Sequence, residues 1–128
     1  MEAMEAYRHA RDILKAAFPE GEKAITTSAY YSYRYAIDVL GEPFQLGEFA
    51  ISTNSYYSYC YARYVLEAPF RLGEDAIATN GNFSVSYAEN VLKSRFRLGE
   101  AAIGTDAALL KYYRKLFLIK PRPAFFKY

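Results

Sequence analysis

Residues 58–77 read SYCYARYVLEAPFRLGEDAI, from Ser58 through Pro69 and Gly73 to Ile77, and the fold follows from how this stretch recurs. Gly-Glu stands at Gly21-Glu22, Gly47-Glu48, Gly73-Glu74 and Gly99-Glu100, always 26 residues apart. Ala24-Ile25, Ala50-Ile51, Ala76-Ile77 and Ala102-Ile103 keep the same spacing, followed by Thr27, Thr53, Thr79 and Thr105. Tyr35, Tyr61, Tyr87 and Tyr113 are in register, as are Leu40, Leu66, Leu92 and Leu118. Phe44, Phe70 and Phe96 align, each followed by Leu46, Leu72 or Leu98. Ile13-Leu14 and Phe18 extend the frame backwards by half a unit. A fixed period of this length marks stacked supersecondary units.

Each unit reads as two helices. The first is short, roughly residues 47–53 in the second unit, with Gly47 as an N-cap and Glu48 at the positive end of the helix dipole. Leu46 and Ile51 are placed to form a hydrophobic staple. The second helix opens at Ser28, Asn54, Asn80 and Asp106, four residue types that cap helix N-termini well. Tyr57, Tyr61 and Val65 follow at spacing four and make one apolar stripe. Pro43, Pro69 and Pro121 are expected to stop this helix, and Arg95, in the equivalent place, gives a softer end.

A unit this small cannot bury its stripe alone, so the units must stack. The expected fold is all-α: a right-handed α-solenoid of short and long helix hairpins, with nine helices. Residues 1–19 form an N-terminal capping helix, 20–45, 46–71, 72–97 and 98–119 the four repeats, and 120–128 an extended tail. Leu109, Leu110, Leu116, Phe117 and Ile119 thicken the last helix. The pattern SYxYAxxVLxxxFxLGExAI resembles a short repeat of small proteins from tailed bacteriophages. That resemblance covers most of the chain and implies a phage source and a helical-repeat fold, without catalytic residues.

The composition narrows function. Of 128 residues 52% are hydrophobic, enough for a core, and net charge is only +2, so disorder is not expected. No apolar run reaches the ~18 residues of a membrane span, and MEAMEAYRHARD lacks a secretory apolar stretch; a cytoplasmic location without membrane contact is expected. Charge is uneven: residues 1–90 carry seven Lys/Arg against twelve Asp/Glu, and residues 91–128 nine against two.

Catalytic chemistry is missing. His9 falls in register with Tyr35 and reads as packing. Cys60 aligns with Arg34, Ser86 and Tyr112, which suggests an exposed, variable site. With one Cys and one His, neither a zinc site nor a Cys–His nucleophile can be assembled. Glu22, Glu48, Glu74 and Glu100 read as helix-start residues. The expectation is a protein that is not an enzyme and uses no metal or cofactor.

Partners of repeat proteins meet positions that differ between units. Tyr30, Tyr33, Arg34, Tyr56, Tyr59, Arg63, Tyr112 and Lys115 are such positions, set on one face of each second helix. Tyr and Arg dominate interface hot spots. Two partner classes follow: another protein, such as a host or defence complex inhibited or recruited by a phage adaptor, or a nucleic acid met by tyrosine stacking and the basic C-terminal end.

Overall fold

The computed structural model describes residues 1–118. They form nine α-helices: α1 (Ala3–Arg8), α2 (Pro19–Ile25), α3 (Ala29–Arg34), α4 (Glu48–Ile51), α5 (Ser55–Cys60), α6 (Glu74–Ile77), α7 (Gly81–Tyr87), α8 (Glu100–Ile103) and α9 (Ala107–Phe117). No strand occurs among the described residues. The all-α expectation holds; the expected tail, 120–128, and Ile119 lie outside the described residues. Short helices alternate with long ones. α1 packs on α2 and α3, and α3 on α4 and α5; α5 then meets α6 and α7, and α7 meets α8 and α9.

The long helices are not uniform. α1, α3, α5 and α7 run without a break into wider π-helical turns, His9–Leu14, Tyr35–Leu40, Tyr61–Leu66 and Ala88–Leu92. α9 stays α-helical over its 11 residues. The expected N-caps are all in place: Ser28 Oγ accepts from Tyr31 N, Asn54 from Tyr57 N, Asn80 from Phe83 N, and Asp106 from Ala108 and Leu109 N.

The helix ends correct the proline reading. Each π turn closes on a left-handed residue, Lys15 (φ 53°), Gly41 (φ 64°), Glu67 (φ 51°) or Lys93 (φ 58°), whose N–H bonds the carbonyl of Ala10, Ala36, Ala62 or Ala88. Pro43 and Pro69 stand two residues beyond the stop. Arg95 therefore gives no softer end, because the turn before it closes at Leu92 like the others. Only Gly41 takes the left-handed conformation without a Cβ penalty. Lys93→Gly should therefore raise stability by roughly 0.5–1 kcal/mol, read as a higher melting temperature. A lower one would show that the Lys93 side chain contributes more than its backbone strain costs.

The core repeats as well. Ile25, Ile51, Ile77, Ile103, Tyr35, Tyr61, Tyr87 and Tyr113 are completely buried, and Phe44, Phe70 and Phe96 nearly so. Three expectations change here. Leu46, at 68% exposure, forms no buried staple with Ile51, and Leu72 and Leu98 are equally out in solvent. Leu66 is half-buried rather than central. Gly47 occupies an N-cap position without a side chain to cap, and its role is close packing. The same close packing is tighter at Gly99, where an added Cβ would lie 2.5 Å from Ser84 Cβ and 2.8 Å from the Phe96 ring. The serine opposite is the small partner that permits this approach. Ser32, Ser58 and Ser84 are fully buried, and their Oγ atoms donate to the carbonyls of Ile25, Ile51 and Ile77 at 2.9–3.0 Å. Those carbonyls end the short helices, and each also accepts the backbone N–H of Ser28, Asn54 or Asn80, so both lone pairs are used. Thr27, Thr53, Thr79 and Thr105 do the same for Ala24, Ala50, Ala76 and Ala102.

The glutamates have a larger role than helix starts. The hydroxyls of Tyr35, Tyr61, Tyr87 and Tyr113 each donate to the carboxylate of Glu22, Glu48, Glu74 or Glu100 at 2.6 Å. Each also accepts from the backbone N–H of Phe18, Phe44, Phe70 or Phe96 at 2.8–3.1 Å. The Tyr35, Tyr61 and Tyr87 rings then meet the next phenylalanine ring, Phe44, Phe70 or Phe96, edge to face at 4.8–5.0 Å. One side chain thus joins the short helix of its unit, the turn before that helix and the turn that leads out of the unit.

Burial first, and the carboxylate second, push these phenols up, Tyr35 and Tyr113 to about 12 from 10.0. Below pH 10 the tyrosines are neutral in both folded and unfolded chain and nothing is lost. As pH rises from 10 towards 12, the unfolded chain ionises first, so folding stability must fall. Denaturant midpoints should drop steeply across that window. A flat response would contradict the buried neutral phenols.

Candidate partner-binding face

The long helices align their variable positions along one side of the molecule, and aromatic rings join them. Tyr7 lies 5.4 Å from Tyr31, Tyr31 4.8 Å from Tyr30, and Tyr30 5.6 Å from Tyr57. Tyr57 then touches Tyr33 and Tyr56, and Phe83 touches Tyr56 and Tyr59, with centroid distances of 5.3–6.3 Å. The result is a continuous ring ribbon across α1, α3, α5 and α7. It stops there because Asn82, Val85 and Leu109 replace rings in the later units.

Within this ribbon the expected site residues divide. Tyr30 and Tyr56 are exposed, at 43% and 48%. Tyr33 and Tyr59 are buried, at 7% and 6%, which corrects their reading as surface residues. They vary between units because they fit particular neighbours in the next unit. Tyr59 OH accepts from Asn90 Nδ2 at 3.0 Å and from Arg63 Nη1 at 2.7 Å. The same offset of 31 residues joins Tyr7 OH to Asp38. Arg34 pairs with Asp38 at 2.8 Å, at the edge of the ribbon. The exposed Arg63 also lies over the Tyr64 ring. Tyr112, on α9, donates to Glu89, and Lys115 is exposed on α9 apart from the rings. Six of the eight residues therefore come together, and Tyr112 and Lys115 lie apart from them on α9.

Cys60 is also corrected: it is buried beneath this face, at 3% exposure, and burial pushes its thiol up. Thiolate chemistry is disfavoured in such surroundings. His9 packs its ring against Phe18 at 4.7 Å. Tyr31, Tyr57 and Phe83, which form the inner rail of the ribbon, carry as much of the site as the variable residues. Their register at 26-residue spacing was the available signal.

Two hollows lie on the surface of the long helices. One of about 360 Å³ lies between the π turns of the second and third units, lined by Arg63, Glu67, Asn90 and Lys93. The other, about 410 Å³, lies on the outer side of α9 over Ala107 and Leu110. Among the described residues no group of three His, Cys, Asp or Glu could hold a metal, and no helix is long and apolar enough to cross a membrane. Compared with known protein families, with curated proteins and with solved structures, the chain matches none.

Proposed function

We propose that the chain is a non-enzymatic protein-binding protein, a short α-solenoid of four 26-residue helix hairpins behind a capping helix. The resemblance to phage repeats favours a phage-encoded inhibitor or adaptor acting in the host cytoplasm on a host or defence complex. The observation that carries the binding reading is the pair Tyr30 and Tyr56. Their rings are exposed, yet each is held by neighbouring rings, so they offer large contact area with little entropy left to lose. Arg34 and Arg63 flank them as the charged component of such a patch.

The test is capture of a partner from bacterial lysate, with and without nuclease, by the parent and by variants. Tyr56→Ala should reduce capture at least ~10-fold, as expected of a hot-spot residue, while melting close to the parent. Tyr59→Ala should instead melt well below it, because that ring is buried. Capture unchanged in Tyr30→Ala/Tyr56→Ala would remove the ribbon from the binding site.

One observation favours nucleic acid as a second reading: Lys111, Arg114 and Lys115 lie together on α9. If phosphates are the target, affinity should fall steeply with salt, by ~0.7–0.9 in log–log slope for each phosphate contacted. We expect no gel shift with random DNA at physiological salt. Micromolar binding there would put this reading first.

A further inference from the structure

The outer side of α9 corresponds to the face that α3, α5 and α7 turn towards the unit after them. On those inner helices it is wholly covered: Ser32, Ser58, Ser84, Ala36, Ala62 and Ala88 have no exposure at all. In the last unit the same positions hold Leu110, half-buried, and Arg114, exposed. The position of Tyr33, Tyr59 and Val85 becomes Lys111, also exposed.

A further unit of the same kind does not fit here. Ser84 already comes within 2.5 Å of a Cβ placed on Gly99, so a leucine in its position leaves no room for a short helix at that distance. Phe117 also supplies Tyr113, at 5.3 Å, with the edge-on ring that Phe44, Phe70 and Phe96, in the turns leading to the next unit, supply to Tyr35, Tyr61 and Tyr87. The array is closed to its own kind, but the face keeps an apolar floor.

That floor, Ala107 and Leu110, lies in the 410 Å³ hollow rimmed by Lys111, Arg114 and Lys115. Among the described residues none of these three cations pairs with a carboxylate. Residues 119–128, IKPRPAFFKY, contain no Asp or Glu and add Lys120, Arg122 and Lys127, so they bring no acidic side chain to these cations. A second copy would present α1 and the π turn after it, where Glu2, Glu5 and Asp12 are interspersed with Arg8 and Arg11.

We propose that this end face docks an acidic amphipathic α-helix of a partner protein. A helix fits because helices of the next unit cover the same face in every inner unit: α4 and α5 on α3, α6 and α7 on α5, α8 and α9 on α7. Its apolar side would lie on Ala107 and Leu110, and its carboxylates would meet Lys111, Arg114 and Lys115. A nucleic acid could satisfy the cations but would leave the apolar floor unfilled. The proposal extends protein binding to a second surface and does not depend on the tyrosine ribbon.

The test uses the full chain and a fluorescent helical peptide of about five turns, Leu on one side and Glu on the other. A matched peptide carries Lys in place of Glu. Anisotropy should show saturable binding of the Glu peptide and none of the Lys peptide. Lys111→Glu/Arg114→Glu should weaken it at least ~10-fold, Leu110→Ser should weaken it as well, and both variants should keep the parent's circular dichroism. Tyr56→Ala should leave peptide affinity unchanged, so failure here and failure of the ribbon reading are separable. Equal binding of the two peptides, no binding of either, or affinity untouched by the charge reversal would overturn the proposal. So would single-stranded DNA binding here in place of the peptide, dimerisation abolished by Arg114→Glu, or nuclear Overhauser contacts from the Leu110 methyls to Phe125 or Phe126 in the free chain.

Discussion

Tyr87→Ala should cost about 3–5 kcal/mol and leave much of the chain unfolded at physiological temperature. The ring is completely buried, so its removal loses apolar contact and leaves a cavity. Two polar groups lose a partner at the same time: the Glu74 carboxylate, itself 8% exposed, which keeps only Arg71, and the Phe70 N–H. Phe96 loses the ring it meets at 4.9 Å, so the damage reaches the turn that leads to the next unit. Tyr87→Phe separates the terms. It keeps the ring and removes only the hydroxyl, and should cost about 1–3 kcal/mol. Equilibrium denaturation of both variants measures this; equal losses would mean that the hydrogen bonds carry the whole effect and the ring none.

Ile51→Ala should cost about 2–5 kcal/mol. Ile51 is completely buried at the end of α4, and its carbonyl accepts from Ser58 Oγ at 2.9 Å, so the site is pinned and cannot readily collapse into the space left behind. Leu66→Ala should cost less, because Leu66 is only half-buried where the π turn ends. A Leu66 variant that melts below the Ile51 variant would contradict this ranking.

The helical class, the alternation of short and long elements and the four N-caps were legible from residue type and spacing. Periodicity reports which positions recur, and a recurring residue is usually structural. It does not report which recurring residues are covered. Leu46, Leu72 and Leu98 recur and are exposed, and Thr27 and its equivalents recur because they satisfy backbone carbonyls. The converse error affected the binding face. Tyr33, Tyr59 and Cys60 vary and are nonetheless buried, because each fits a neighbour in the adjacent unit. Finding those neighbours requires the offsets between facing helices, 24 residues for Tyr33 and Tyr57 and 31 for Tyr59 and Asn90, which depend on how the units sit against each other. The π turns escaped for a related reason: they leave the apolar spacing unchanged and alter only which carbonyl each N–H reaches.

The cross-links at the 31-residue offset make the units unequal as parts. Tyr7 meets Asp38, and Tyr59 meets Asn90. Excising residues 46–71 would bring Tyr33 opposite Asn90 and recreate an acceptable match. Excising residues 72–97 would bring Tyr59 opposite Leu116 and leave its hydroxyl facing hydrocarbon. The chain can thus be shortened by one module in the first way more readily than in the second. Its order is written in the few side chains that differ between modules, and a lineage that duplicates or loses modules is constrained by which neighbours each newcomer inherits.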